Sequence, residues 1–191
     1  MAQHRKVLLV APRFYGQSFW NFTAACELYG ARFPSAPLGL ITVAALLPNS
    51  WECRLVNRNT EELTDAHLDW ADLVMTGGML PQRPDTLHVI ALAKQRGKPV
   101  IVGGPDVTSS PDEYASADCR VLGEAEGIIA SFISAWESRN QAGRIRSAKI
   151  QDRCHQNTRS AVRSVETKSI SLFRGTVFSR LSVHLRVLRH H

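Results

Sequence analysis

Residues 99–105 read Pro-Val-Ile-Val-Gly-Gly-Pro, a short apolar run halted by two glycines and a proline. An all-apolar run of this length, closed by turn residues, is the pattern of a strand buried on both faces of a sheet. It recurs at 72–78 (DLVMTGG), at 6–11 (KVLLVA, closed by Pro12) and at 119–122 (CRVL, closed by Gly123), with a more polar version at 52–57 (ECRLVN). Between these runs the spacing changes to three and four. Pro37-Leu38-Gly39-Leu40 opens a helix to about Leu47, with proline where a helix tolerates the missing N–H. Thr64 is placed to cap a short helix over 64–70. Residues 84–96 carry Leu87, Ile90, Ala91 and Lys94 on one stripe before Gly97, and 127–136 reads as the closing helix. A helical turn is expected at 111–114, and the aromatic segment 12–35 reads as a long loop with a short helix through Cys26 to Gly30.

Five strands alternating with helical crossovers predict an α/β fold, a Rossmann-like (flavodoxin-like) five-stranded parallel sheet with helices on both faces. Ligands of such sheets lie beyond the carboxyl ends of the strands. The candidate segments are therefore 11–16, 57–59, 76–80, 103–108 and 123–126. Glycine opens the turn at Gly77-Gly78, Gly103-Gly104 and Gly123, and without a Cβ a bulky ligand can reach main-chain amides. Each pair alone is also what an ordinary strand-to-helix turn uses; their shared rim is what points to a site. No Gly-x-Gly-x-x-Gly follows the first strand, and no Gly-x-x-x-x-Gly-Lys-Ser/Thr occurs, so dinucleotide and phosphate-loop readings lack their main support.

Charge divides the chain in two. Through Ser138 there are 11 Lys/Arg against 15 Asp/Glu, and from Arg139 there are 12 against 2, which together give the net +6 of the 191 residues. All nine prolines and all four tryptophans precede Arg139. This predicts a folded domain over 1–138 and a poorly ordered basic tail over 139–191. Such a tail taken alone also fits nucleic-acid binding through counterion release. Cys26, Cys53, Cys119 and Cys154 form neither a CxxC pair nor a metal-ligand rhythm, and no catalytic or metal-binding set is assigned. The apolar run Val7-Leu8-Leu9-Val10 is too short for a signal-peptide core or a membrane span, so a cytoplasmic protein with reduced thiols is expected.

The succession KVLLVAPRF, a Ser-Phe-Trp loop, SAPLGLITVAALLP, WECRLVNRN, DWADLVMTGGM, GKPVIVGGPDVTSSPDEY and VLGEAE resembles the N-terminal cobalamin (B12)-binding domain of radical S-adenosylmethionine enzymes, over residues 5 to about 138. Its most specific pieces are Pro37-Leu38-Gly39-Leu40, Val102-Gly103-Gly104-Pro105 and Gly123-Glu124-Ala125-Glu126. The resemblance implies cobalamin as the ligand. It would be held on the rim by Arg13, Phe14, Tyr15 and Gly16, by Leu38, by Thr76, Gly77 and Gly78, by Gly103, Gly104 and Pro105, and by Gly123, Glu124 and Glu126. The wider family carries Asp-x-His-x-x-Gly after the first strand, where this chain has Ala11-Pro12-Arg13-Phe14-Tyr15-Gly16. A guanidinium stays protonated and cannot ligate a metal, so bound cobalamin would lack a protein imidazole below the cobalt. Arg13 is then either a solvated loop residue or a phosphate or propionamide contact. Glu124 and Glu126 sit at a helix start, where carboxylates complement the dipole, and are read as cap partners rather than as a catalytic pair.

In the resembled family a barrel follows this domain and carries a [4Fe–4S] cluster and S-adenosylmethionine. Read one nucleotide later, codons compatible with 139–191 permit a Cys-x-x-x-Cys-x-x-Cys segment with windows at Leu181/Ser182, Leu185/Arg186 and Leu188/Arg189. Three thiolates at this spacing hold such a cluster in that family. The expectation is an out-of-frame, truncated product: a cobalamin-binding domain without its catalytic barrel and without an assigned substrate. Two other classes compete, a flavodoxin-like or receiver-like module and a nucleic-acid binder acting through the tail. A receiver needs an aspartate after the third strand, where Thr76-Gly77-Gly78 stands.

Overall fold

The apolar runs become the strands of one sheet in the computed structural model, which describes residues 4–15, 22–31, 33, 35–141 and 148–151. The elements are β1 (Arg5–Ala11), α1 (Thr23–Tyr29), α2 (Leu38–Leu46), β2 (Trp51–Asn57), α3 (Asp65–Trp70), β3 (Leu73–Gly77), α4 (Arg83–Gln95), β4 (Val100–Gly103), α5 (Pro105–Ser109), β5 (Cys119–Leu122), α6 (Ala125–Gln141) and β6 (Ala148–Gln151). Single 3-10 turns occupy Leu80–Gln82 and Pro111–Tyr114. The strand order is β2-β1-β3-β4-β5-β6, with every pairing parallel. β1 is the pivot, because the chain leaves it toward β2 on one side and returns to β3 on the other. That reversal opens the crevice at the carboxyl ends in which doubly wound sheets hold ligands.

The period of two along β1 divides the core. Leu8 and Val10 face one layer with Val74, Val100, Val102, Val89 and Ile90; Val7 and Leu9 face the other with Leu73, Met75, Ile101, Phe132 and Trp136. α3, α4 and α5 therefore cover the first face, and α2 and α6 the second. A crossover helix runs back against the strands. Leu38 at the start of α2 and Ala125 at the start of α6 thus lie at the carboxyl ends of the strands.

Two local readings change. The buried stripe of α4 is Thr86, Val89, Ile90 and Ala93, displaced from the expected one: Leu87 is only partly buried, and Ala91 and Lys94 are exposed. Thr86 can turn inward because its hydroxyl donates to the Gln82 carbonyl at 2.9 Å, while Lys94 pairs with Asp118 at 2.6 Å. The five expected strands gain a sixth, β6, which pairs Ala148 to Gln151 against Cys119 to Leu122. A parallel edge offers main-chain donors and acceptors to any sequence, so side-chain pattern does not announce such a strand. The three cysteine windows lie outside the described residues, as does Gly16. Among the described residues no helix is long and apolar enough to cross a membrane, and no group of three or more His, Cys, Asp or Glu could hold a metal ion.

Candidate functional site

The loop leaving β1 is fastened from both sides before any ligand is considered. The Pro12 carbonyl accepts from Gln82 Nε2 at 2.6 Å and from Asn59 Nδ2 at 3.2 Å. The Arg13 amide donates to Asp85 at 2.6 Å, the Phe14 amide to Asn59 Oδ1 at 3.1 Å, and the Tyr15 amide to the Pro81 carbonyl at 3.0 Å. The Arg13 guanidinium is engaged as well, with Nε donating to the Arg58 carbonyl at 3.0 Å and Nη2 to Glu62 at 2.8 Å. Asp85 in turn holds Arg58, 8% exposed, through two hydrogen bonds of 2.8 and 3.0 Å. Arg13 is therefore a bolt between the β1 loop and the segment after β2.

The turns after β3 and β4 are pressed against each other. Gly77 pairs with Gly103 in the ladder, and a Cβ built on Gly77 would fall 1.9 Å from the Gly103 carbonyl oxygen. Gly104 has φ of +104°, a conformation L side chains rarely adopt, and its Cβ would stand 3.3 Å from both N and O of Gly78. Asp106 N–H closes the pair onto the Gly78 carbonyl at 3.3 Å. Thr76 is buried, and its hydroxyl donates to the Val10 carbonyl at 2.8 Å. Beyond β5, the Gly123 amide donates to the Thr108 hydroxyl, which itself donates to the Gly104 carbonyl.

Beneath these turns sits a charged cluster that local spacing did not reveal. Asp106, 3% exposed, receives Arg83 through two hydrogen bonds of 2.8 and 2.6 Å and also receives the Tyr114 hydroxyl. The hydrogen bond from Arg83 leads in holding the Asp106 carboxyl below its usual range, with Tyr114 adding to it against the opposing effect of burial. Burial first, then the adjacent carboxylate, pushes the Tyr114 phenol up. Both shifts keep the cluster in one protonation state near neutral pH, Asp106 ionised and Tyr114 protonated, so α4, α5 and the 111–114 turn stay clamped under the Gly104 turn.

The predicted site residues fall into two neighbourhoods. Tyr15, Leu38, Thr76, Gly77, Gly78, Gly103, Gly104, Pro105 and Gly123 share the carboxyl rim, with Glu124 and Glu126 at the entry of α6. Tyr15, Leu38 and Leu80 expose 76%, 65% and 63% of their surface there, an apolar fringe over a largely side-chain-free floor. Arg13 and Phe14 instead line a cavity of about 580 Å³ on the β2 side, beneath α1. Gly39 is a glycine that no described residue requires: it lies in the first turn of α2, and a Cβ there would meet no described atom within 4 Å.

A family model described as B12 binding domain matches residues 31–133. An uncharacterized methyltransferase of Synechocystis sp. is 44% identical over 149 residues, covering 77% of this chain and 28% of that protein. Hopanoid C-2 methylase of Rhodopseudomonas palustris is 37% identical over 123 residues, covering 63% of this chain and 23% of that protein. The chain thus spans about a quarter of the length of these relatives. A match covering 77% of the chain is longer than residues 1–138, so similarity continues past Ser138. No solved structure matches the chain.

Proposed function

The chain belongs to the B12-binding domain family, and we propose that it holds cobalamin across the carboxyl ends of β1, β3 and β4 as the cofactor-carrying part of a longer radical S-adenosylmethionine methylase. The observation that carries the placement is Gly39. A helix gains from alanine over glycine, and no described residue occupies the space a methyl group would take, which supports an outside surface that approaches α2. The rim suits a broad, largely apolar disc fringed with amides. Tyr15, Leu38 and Leu80 offer apolar contact, and the Gly78, Gly103 and Gly104 backbone lets the ligand come close. Glu124 and Glu126 then act at the start of α6, outside any acid–base chemistry.

No histidine lies between Pro12 and Phe22, and Arg13 is committed to Glu62 and the Arg58 carbonyl, so this loop offers the cobalt no imidazole. When bound, cobalamin supplies a cobalt centre able to carry a methyl group. The chain's own contribution is to seat it, orient it and shield one of its faces from water. The names of the two relatives support methyl transfer as the activity of the longer protein.

Titration of the full chain with hydroxocobalamin should give a saturable change in the visible spectrum and co-elution on gel filtration; no saturable change would sink the reading. Gly104→Val separates nothing, because the left-handed φ penalises any side chain there. Gly39→Ala is the discriminating change. It should raise stability by roughly 0.5–1 kcal/mol yet weaken hydroxocobalamin at least about tenfold, since a tenfold loss needs only ~1.4 kcal/mol of steric conflict. A stabilised variant with undiminished affinity would move the ligand off α2.

The domain proposal takes 1–138 as the ligand-carrying unit and 139–191 as a basic tail, of which the described residues complete α6 to Gln141 and form the edge strand β6; the similarity that continues past Ser138 puts any change of reading frame further along the tail. Deleting 152–191 should then leave the hydroxocobalamin titration unchanged, and lost binding would overturn that division. The same reading places the protein in the cytoplasm, where Cys26, Cys53 and Cys119, which form no disulfide, stay reduced.

A further inference from the structure

The β1–β3 ladder runs from the Val7–Leu73 pair to the Val10–Thr76 pair, and there the two strands part to form the crevice. Pro12 has no N–H with which to carry the pairing further. A side chain takes over. Gln82, only 8% exposed, reaches back to the β1 loop: its Nε2 donates to the Pro12 carbonyl at 2.6 Å, while its Oε1 accepts the Met79 amide at 3.0 Å. The carboxamide can point in one sense only, because a carbonyl solely accepts and a main-chain amide solely donates. The Thr86 hydroxyl, donating to the Gln82 carbonyl at 2.9 Å, ties the same residue to α4. From the β2 side, Asn59 Nδ2 donates to the Pro12 carbonyl as well, at 3.2 Å. Gly78 completes the arrangement. A Cβ built there would stand 2.5 Å from Gln82 Oε1 and 3.0 Å from its Cδ, so an alanine would displace the carboxamide.

We propose that Gln82 is a positioning residue of the cobalamin crevice: it joins the loop after β1 to the turn after β3, so that both walls are set before the ligand arrives. This role rests on the cobalamin reading and says how that site is held. A group that orders a loop in advance removes that ordering from the cost of binding. Without it the loop must find its place at each encounter, which lowers affinity and slows productive association. A buried glutamine that only stabilised the fold would shift the unfolding midpoint and leave ligand binding as it was.

The test uses the full chain, hydroxocobalamin and three variants: Gln82→Met, which keeps the volume and removes both side-chain hydrogen bonds, Gly78→Ala, and the two combined. Urea unfolding first establishes conditions under which each is folded. Titration followed by visible absorbance should then show each single variant about tenfold weaker than the parent, and the double variant within about threefold of either, because both changes break one contact. In stopped-flow mixing, the observed rate for the parent should rise linearly with hydroxocobalamin, whereas that for Gln82→Met should level off, as it does when a loop must order first. Parent-like affinity and kinetics in Gln82→Met, with only a lowered unfolding midpoint, would overturn the inference and leave the cobalamin reading standing. So would a double variant about a hundredfold weaker than the parent, since additive losses mean that Gly78 and Gln82 act separately. If the parent itself gives no saturable change, the cobalamin reading fails and the role of Gln82 falls with it.

Discussion

Gly77→Ala is expected to cost more than about 3 kcal/mol of stability and to abolish hydroxocobalamin binding with it. The added methyl would sit 1.9 Å from the Gly103 carbonyl oxygen, well inside any real contact distance. That oxygen is main chain, so no rotamer change can clear it. Relief requires β3 and β4 to part where neighbouring strands normally lie about 4.8 Å apart. The separation would begin at the Gly77–Gly103 pair, the point from which both glycine turns spring. Conformation is not the cause, since φ at Gly77 is +159° and nearly extended. Gly97→Ala provides the contrast: φ there is +65° with nothing within 4 Å of the new methyl, so only the left-handed penalty, about 1 kcal/mol, should appear. Urea unfolding of the two variants checks the prediction, and a Gly77→Ala midpoint within about 1 kcal/mol of the parent would show that the strands do not approach this closely.

What the sequence made legible follows from the range of the interactions involved. β1, β3, β4 and β5 are apolar enough to be read one at a time, and the glycines ending them fix the rim, because strand period and turn chemistry are local. The function of Arg13 is not local. Sequence reading leaves it as a solvated loop residue or a phosphate or propionamide contact, and its partners within the chain lie 45 and 49 residues away at Arg58 and Glu62. Asp106 is hidden for a related reason. An aspartate after Gly-Gly-Pro looks like a solvated turn residue, and only the folded chain brings Arg83, 23 residues earlier, onto its carboxylate. Gly39 stands within the Pro37-Leu38-Gly39-Leu40 run, and only the structure shows that no described atom lies within 4 Å of where its Cβ would be. The strand β6 depends on an open edge rather than on its own side chains, so composition assigned its residues to a tail.

Asp106→Ala is the second change with a large expected effect, and it acts on the support of the rim rather than on the rim itself. Removing the carboxylate leaves the Tyr114 hydroxyl, in a residue 1% exposed, without its acceptor, at a cost of about 2–3 kcal/mol for an orphaned buried donor. Arg83 retains some access to water and can rehydrate, so no comparable penalty is assigned to it. Asp106→Asn preserves the shape and tests the charge through pH. The folded carboxyl titrates below its unfolded value of about 3.9, so the unfolded state takes up protons first as the pH falls. The stability owed to ionised Asp106 is therefore complete above about pH 5 and is lost as the pH drops through the depressed folded value. The difference in urea midpoint between the parent and Asp106→Asn should be constant from neutral pH to about pH 5 and should shrink below it. A pH-independent difference would mean that Asp106 contributes only shape. Since α5 begins at the Gly104 turn, the same variants should weaken hydroxocobalamin while each remains folded at pH 7. Loss of affinity without loss of fold would separate a support that positions the glycine turns from one that merely stabilises the domain.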